Sequence, residues 1–290
     1  MSHVPVLLHS VMGFLNPQPN QNFVDATLGG GGHAKEILVH TSPRGMVLGV
    51  DWDADALERL RSQSIPRLIM QKGNFAHIEN IVAENEFGPI SGILFDLGFS
   101  SLTLEESGRG FSFQKDEPLD MRYDQDNPRT AAHIVNRYAE EEIANILWQY
   151  GEERYNRRIA AAIRATRKQH SIQTTTQLLD VIARAVPTGY RHSRMHYATK
   201  TFQALRIATN DELENIRQGL TGALKILPPK SRLVVLSFHS LEDRIVKNFL
   251  RDNKDTLTIL TKKPIVPDRA EVDANPRARS AKLRAAEVID

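Results

Sequence analysis

Three aspartates stand where chemistry could gather. Asp25, Asp51 and Asp96 each close a short apolar run, F-V-D, G-M-V-L-G-V-D and I-S-G-I-L-F-D. Acids at the ends of successive buried strands suit a polar ligand, because open α/β sheets bind ligands beyond the carboxyl ends of their strands. After Asp25 comes A-T-L-G-G-G-G-H, with glycine at 29 through 32 and then His33. Glycines at a strand-to-helix turn let the backbone bend sharply, take positive φ and lie against a ligand with no Cβ between them. The amides that open the next helix then face whatever is bound. Asp51 lies about twenty residues beyond the glycines, where such folds place a carboxylate on ribose hydroxyls. One carboxylate can accept from both hydroxyls. The other use for Asp51, capping a helix over 53–61, can fall to Asp53 instead.

A frame of alternating strands and helices must position these groups. Phe23 and Val24 end a buried strand, and 34–39 has helical spacing through Ile37 and Leu38. Further strands are expected at 45–51, 67–71 and 90–96. After the third comes Gly73-Asn74-Phe75, where the loop borders an adenine and Phe75 offers an apolar face, although a ring there also suits the core. Leu97 to Ser101 follows the fourth strand. The alternation then stops. One long helix is expected over 140–168, with Ile143, Leu147, Tyr150, Ile159 and Ile163 at offsets of three and four. Arg157, Arg164 and Lys168 share one side of it. A basic helix face is usually just solvated. Here a second stretch follows, Tyr190, Arg191, His192, Arg194, His196, Tyr197 and Lys200. Interleaved cations and rings suit phosphates and unstacked bases, so this region reads as an inserted helical substrate domain.

The α/β pattern resumes with a capping box at Thr209 and Glu212. A leucine stripe from Leu213 to Leu227 ends at Pro228-Pro229. A strand at 232–238, a helix capped by Ser240 and a strand at 257–260 follow. The tail holds Arg277, Arg279, Lys282 and Arg284 with no acid among them. The expected organisation is a nucleotide-type domain over 1–104 with 201–290, and the helical insertion over 105–200.

Composition narrows the chemistry. The chain has 290 residues, 41% hydrophobic and 25% charged, as in a soluble globular protein. No apolar run is long enough to span a bilayer and M-S-H-V-P lacks signal-peptide character, which argues for the cytoplasm and against a membrane partner. The net charge of +2 means that any nucleic-acid surface must come from local clustering. Cysteine is absent, which removes disulfides, thiolate metal sites and a cysteine nucleophile. The histidines lack ligand spacing to nearby acids, so no metal site is expected. His3 could reach a substrate, although a histidine near a terminus is more often structural.

Two cofactors fit the glycine turn. Gly29, Gly31 and Ala34 satisfy the dinucleotide fingerprint G-x-G-x-x-[GA]. Asp25 followed by G-x-G equally satisfies the first motif of S-adenosylmethionine (SAM) methyltransferases. The turn alone leaves both open. An NAD-dependent oxidoreductase would need a hydride-transfer site, and no distinctive one stands out. A non-catalytic RNA-binding or assembly protein on the same fold is the third reading.

Longer stretches favour one of these. H-V-P-V-L-L at His3, V-D-A-T-L-G-G-G-G-H at Val24, I-L-F-D-L-G-F-S-S at Ile93 and R-G-F-S-F at Arg109 occur in order. P-L-D-M-R at Pro118, Y-G-E-E-R at Tyr150, A-T-K-T-F-Q-A-L-R-I at Ala198, S-F-H-S-L-E-D-R-I-V-K at Ser237 and N-P-R-A-R-S-A-K-L-R at Asn275 continue them. With these the chain resembles the bacterial 16S ribosomal RNA cytosine-N4 methyltransferases over essentially its whole length. The resemblance implies a class I SAM-dependent methyltransferase, Rossmann-like with a mostly parallel sheet and an inserted helical domain. It implies SAM as cofactor and, as partner, 16S rRNA of the small ribosomal subunit, methylated at a cytidine of the decoding region; a homodimer is one option for the assembly. By motif, Gly31, Gly32, His33, Asp51, Phe75 and Asp96 would contact SAM. The family often has glutamine where Thr103 stands, glutamate where Ser10 stands and arginine where Lys200 stands. Thr103 lacks the amide, so that SAM contact is the one in question. Asp96 with the turn after it is the expected catalytic element, accepting a hydrogen of the reacting amine. Methylation at ring carbon 5 normally needs a cysteine adduct, and this chain has no cysteine.

Overall fold

The computed structural model describes residues 5–97, 107–192 and 195–290. His3, Thr103 and Arg194 lie outside the described residues. The chain divides into two compact units, Met1–Ser100 with Leu213–Asp290, and Ser101–Glu212.

The first unit is built on one sheet of β1 (Asn22–Asp25), β2 (Val47–Asp51), β3 (Leu68–Lys72), β4 (Ile90–Asp96), β5 (Arg232–Ser237), β6 (Leu257–Ile259) and β7 (Lys282–Val288). Their order is β3-β2-β1-β4-β5-β7-β6. The first five run parallel, and Phe23, Val24, Val47, Ile93 and Val234 are fully buried, as strands covered on both faces must be. The basic tail, to which the sequence assigned no element, runs into β7, antiparallel to both β5 and β6. Lysine and arginine at 282 and 284 hid its period in the sequence. Pairing to β5 buries Leu283, Ala285 and Ala286 and makes it a strand.

Helices α1 (Leu8–Leu15), α2 (Gly32–His40), α3 (Ala54–Arg61) and α4 (Ile78–Glu84) precede the insertion. Val11, Leu15, Ile37 and Leu57 join Phe23, Leu94 and Leu283 in one apolar core. Asp53 caps α3, accepting from the Asp55 amide at 3.1 Å, which leaves Asp51 free of that duty.

The second unit contains α5 (Ala131–Arg137), α6 (Glu140–Gly151), α7 (Asn156–Arg167), α8 (Thr175–Ala185), α9 (Thr188–Arg191) and α10 (Thr199–Asn210). Ile143, Leu147, Ile159, Ile163, Leu178 and Leu205 form its core. The single helix expected over 140–168 is broken into α6 and α7, with Glu152 at φ 48°. The cause is Glu153, fully buried, which accepts from the Tyr155 amide at 2.9 Å and the Tyr190 hydroxyl at 2.8 Å. A carboxylate held by two donors fixes a turn that periodicity does not reveal. Gly151 lets α10 close on α6, since a Cβ there would lie 2.5 Å from the Lys200 carbonyl oxygen. This packing carries the unit to Glu212, beyond the expected end at 200. The capping box at Thr209 and Glu212 does not form: Thr209 is buried in α10, Asp211 turns the chain at φ 52°, and Glu212 takes two bonds from Arg206 at 2.7 and 2.8 Å.

The chain returns through α11 (Glu212–Ile226), α12 (Ser240–Asp252) and α13 (Arg269–Ala274). His239, not Ser240, caps α12: its Nδ1 accepts from the Glu242 amide at 3.3 Å while Glu242 accepts from the Phe238 amide at 2.7 Å. Among the described residues no helix is long and apolar enough to cross a membrane.

Candidate cofactor site

Strand order puts β2, β1 and β4 side by side, so Asp51, Asp25 and Asp96 meet at one edge of the sheet. Register then separates their roles. Asp25 is level with Gly49 of β2 and Leu94 of β4, so Asp51 and Asp96 each reach two residues further out. Asp25 is 1% exposed and accepts from the Thr27 amide at 3.2 Å. Burial pushes its carboxyl up to about 6, His33 and the Thr27 amide pull the other way, and Asp96 and Asp51 add to the rise. The three acids do sense one another, with Asp25 behind the other two.

Asp51 is held at both oxygens. The Gly29 amide donates to Oδ2 at 2.8 Å and the Asp53 amide to Oδ1 at 2.9 Å. The Trp52 amide bears on the same carboxylate, and of its roughly four acceptor positions at least one remains for a ribose hydroxyl. Burial pushes this carboxyl up to about 6 as well, against the amides of Asp53 and Gly29.

The glycines divide into two pairs. A Cβ on Gly31 would lie 3.1 Å from Leu60, and one on Gly32 would lie 2.4 Å from Pro5. At Gly30 it would meet nothing within 4 Å, and at Gly29 only the Thr27 carbonyl at 3.8 Å. Packing therefore excludes a Cβ at 32 and crowds one at 31, where φ is also positive, and the open side of the turn lies at Gly29 and Gly30. Gly31, at φ 70°, begins α2 with no side-chain cap among the described residues. The first amides of α2 therefore keep their donors for a ligand.

His33 is 5% exposed, with Nε2 3.0 Å from the Val6 carbonyl oxygen and Nδ1 3.5 Å from Asp96 Oδ2. Phe75 follows β3, after Asn74 has capped a short 3-10 turn. Its ring is 9% exposed and packs edge-on against Phe95 at 5.6 Å, beside Gly219. Much of it is core. Trp52, half-buried and next to Asp51, lies with its ring 6.0 Å from that of Phe75. Sequence reasoning missed Trp52 and also Thr27, whose hydroxyl accepts from the Asp96 amide at 2.6 Å and ties β1 to β4. Thr27 stood two residues after Asp25, inside the quoted motif; Trp52 carried no signal beyond its neighbour.

The donor set suits SAM: uncapped amides for an amino-acid carboxylate, a glycine opening, and Asp51 for the ribose. The topology separates it from a dinucleotide fold, whose order 3-2-1-4-5-6 lacks the antiparallel strand between the last two. A family model described as the MraW methylase family matches residues 1–289. The chain belongs to the MraW methylase family.

Curated proteins called ribosomal RNA small subunit methyltransferase H are similar to it along their length. The one from Desulfotalea psychrophila is 47% identical, covering 99% of this chain and 98% of that protein. The one from Syntrophotalea carbinolica is 46% identical over 98% of this chain and 96% of its own. The one from Carboxydothermus hydrogenoformans is 46% identical over 99% and 98%. MraW-family membership thus embraces the sheet unit and the helical insertion alike.

The basic residues of this MraW-family chain are less uniform than their spacing suggests. Arg164 pairs with Glu140 at 3.0 Å, Arg167 donates to the Val135 carbonyl at 2.8 Å, and Lys200 donates to the Glu152 carbonyl at 3.0 Å. Arg154 lies over the rings of Tyr155 and Tyr190 at 4.8 and 4.7 Å. In the tail, Arg284 is buried against Asp243 at 2.7 Å, with Lys282 beside it at 3.4 Å. Arg157, Arg158, Arg277 and Arg279 are exposed.

Proposed function

We propose that this protein is a SAM-dependent methyltransferase that methylates N4 of a cytidine in the decoding region of the small-subunit ribosomal RNA, in the cytoplasm. Family membership over residues 1–289 carries the reading. When bound, SAM supplies an electrophilic methyl group. The chain's residues do the rest. Asp51 accepts from the ribose through the acceptor capacity that the Gly29, Asp53 and Trp52 amides leave. The opening of α2, with Gly31, Gly32 and His33, receives the amino-acid end. Trp52 and Phe75 flank the adenine. Asp96 serves the reacting amine.

An exocyclic amine is a poor nucleophile because its lone pair is conjugated into the ring. An acceptor that holds an amine hydrogen while positive charge develops on nitrogen lowers that barrier. The base must be unstacked and aligned with the methyl group, about 3 to 3.5 Å away. The helical unit serves the RNA, with exposed Arg157 and Arg158 as phosphate contacts.

The test uses small-subunit RNA carrying tritium at ring carbon 5 of cytidine. Methyl transfer with the tritium retained is expected, and stoichiometric release to water would refute amine methylation. Calorimetry with SAM and with NAD separates the two cofactors: heat from NAD and none from SAM would overturn the reading.

A further inference from the structure

The contacts of His33 decide where its protons are. Nε2 stands 3.0 Å from the Val6 carbonyl oxygen, which can only accept, so Nε2 carries hydrogen. In a neutral ring Nδ1 would then be a bare lone pair. It lies 3.5 Å from Asp96 Oδ2, in a place where the side chains are 6% and 18% exposed. Two acceptors facing one another with little water between them are unfavourable. A proton between them removes the conflict. The surroundings favour the ionic form, since the Asp25 carboxyl lies close enough for His33 to oppose its rise.

We propose that His33 and Asp96 hold one proton between them as imidazolium and carboxylate, and that His33 is thereby the positioning residue that keeps Asp96 ionised to accept the hydrogen leaving the substrate amine. This rests on the methyltransferase reading above. As the nitrogen lone pair forms the bond to the methyl carbon, the carbon–sulfur bond breaks with its electron pair left on sulfur. The nitrogen, now cationic, passes one hydrogen as a proton to Asp96, and His33 keeps its own. Thr27 serves the same end from the backbone side, its hydroxyl fixing the Asp96 amide at 2.6 Å.

The competing role for His33 is mechanical, a clamp on Val6 through Nε2. Two substitutions separate the roles, because an asparagine amide reaches the position of Nδ1 and a glutamine amide that of Nε2. His33→Gln keeps the clamp and loses the contact to Asp96; His33→Asn does the reverse. With SAM binding checked by calorimetry, His33→Gln should slow single-turnover transfer at saturating SAM by about tenfold or more, and His33→Asn should recover part of that loss. The direct observation is the nitrogen-15 spectrum of the SAM-free protein at neutral pH, with His33 assigned from the signal missing in His33→Gln. Both ring nitrogens should be protonated, and Asp96→Asn should return the ring to its neutral Nε2–H form. A bare Nδ1 in the wild-type protein would overturn the proposal. So would a His33→Gln variant that binds SAM and transfers at the wild-type rate. A wild-type protein that binds no SAM would instead sink the reading beneath it and leave the spectrum to judge the pair.

Discussion

The amide of Gly29 donates to Oδ2 of Asp51 at 2.8 Å, across two neighbouring strands. The glycine turn and Asp51 are therefore one device. The turn orients the carboxylate, and the carboxylate fixes the turn. Asp51→Ala removes the diol acceptor and leaves the Gly29 amide without its partner. SAM affinity should fall by about 1.5 to 3 kcal/mol, the scale of hydrogen bonds to a charged group, or roughly ten- to a hundredfold. Unchanged affinity by calorimetry in a folded variant would reassign the ribose site.

The same carboxyl sets a pH dependence. Burial pushes Asp51 up to about 6. Hydroxyl donors favour its ionised form, so SAM affinity should be full above that value and decline as pH falls through it. A titration series from neutral to acid that shows flat affinity, with folding intact, would count against Asp51 as the acceptor.

Gly30 and Gly32 should respond differently to the same added methyl group. Gly30→Ala meets open space and should fold normally while weakening SAM. Gly32→Ala drives a Cβ to 2.4 Å from Pro5 and should lower the melting temperature of the SAM-free protein. Overpacking of this kind costs about 1 to 3 kcal/mol. If Gly30→Ala binds SAM as well as wild type, the open side of the turn is not the cofactor's.

Asp25 is expected to cost stability at neutral pH. Its carboxyl rises from 3.8 to about 6 on folding, chiefly through burial. The stability linked to that raised value is fully present below the unfolded pKa and is lost as pH rises through about 6. Asp25→Asn keeps an acceptor for the Thr27 amide and removes the charge. It should stabilise the protein at pH near 7.5 by on the order of 1 kcal/mol, with the gain shrinking toward about pH 4. Equal melting-temperature shifts at both pH values would contradict this.

The arginines should sort by burial. Arg284→Ala strands the Asp243 carboxylate, which burial pulls up but the Arg284 guanidinium and Lys282 hold below the usual range. Loss of roughly 1 to 3 kcal/mol of stability is expected, with little change in the salt dependence of RNA binding. Neutralising exposed Arg157 and Arg158 should instead leave melting unchanged and reduce the logarithmic salt slope by about 0.7 to 0.9 per contact. The opposite pattern in the two variants would mean that the helical face is merely solvated.

The sequence by itself determined the parallel strands, the acids that close them and the glycine turn, because each is local: a short apolar run, a terminal Asp and a backbone that must bend. Family likeness was legible for the same reason, as contiguous motifs such as V-D-A-T-L-G-G-G-G-H. Tertiary structure decided the rest. The break between α6 and α7 depends on Tyr190 reaching Glu153 from 37 positions away, and β7 is a strand because β5 lies beside it. Only register showed that Asp25 sits behind Asp51 and Asp96. Which glycines face a ligand depended on where Leu60 and Pro5 pack. Whether an arginine is free for RNA depended on whether an acid or a carbonyl from another element had already taken it. Local signals fix what a segment prefers; partners distant in the chain fix which of its groups remain to act.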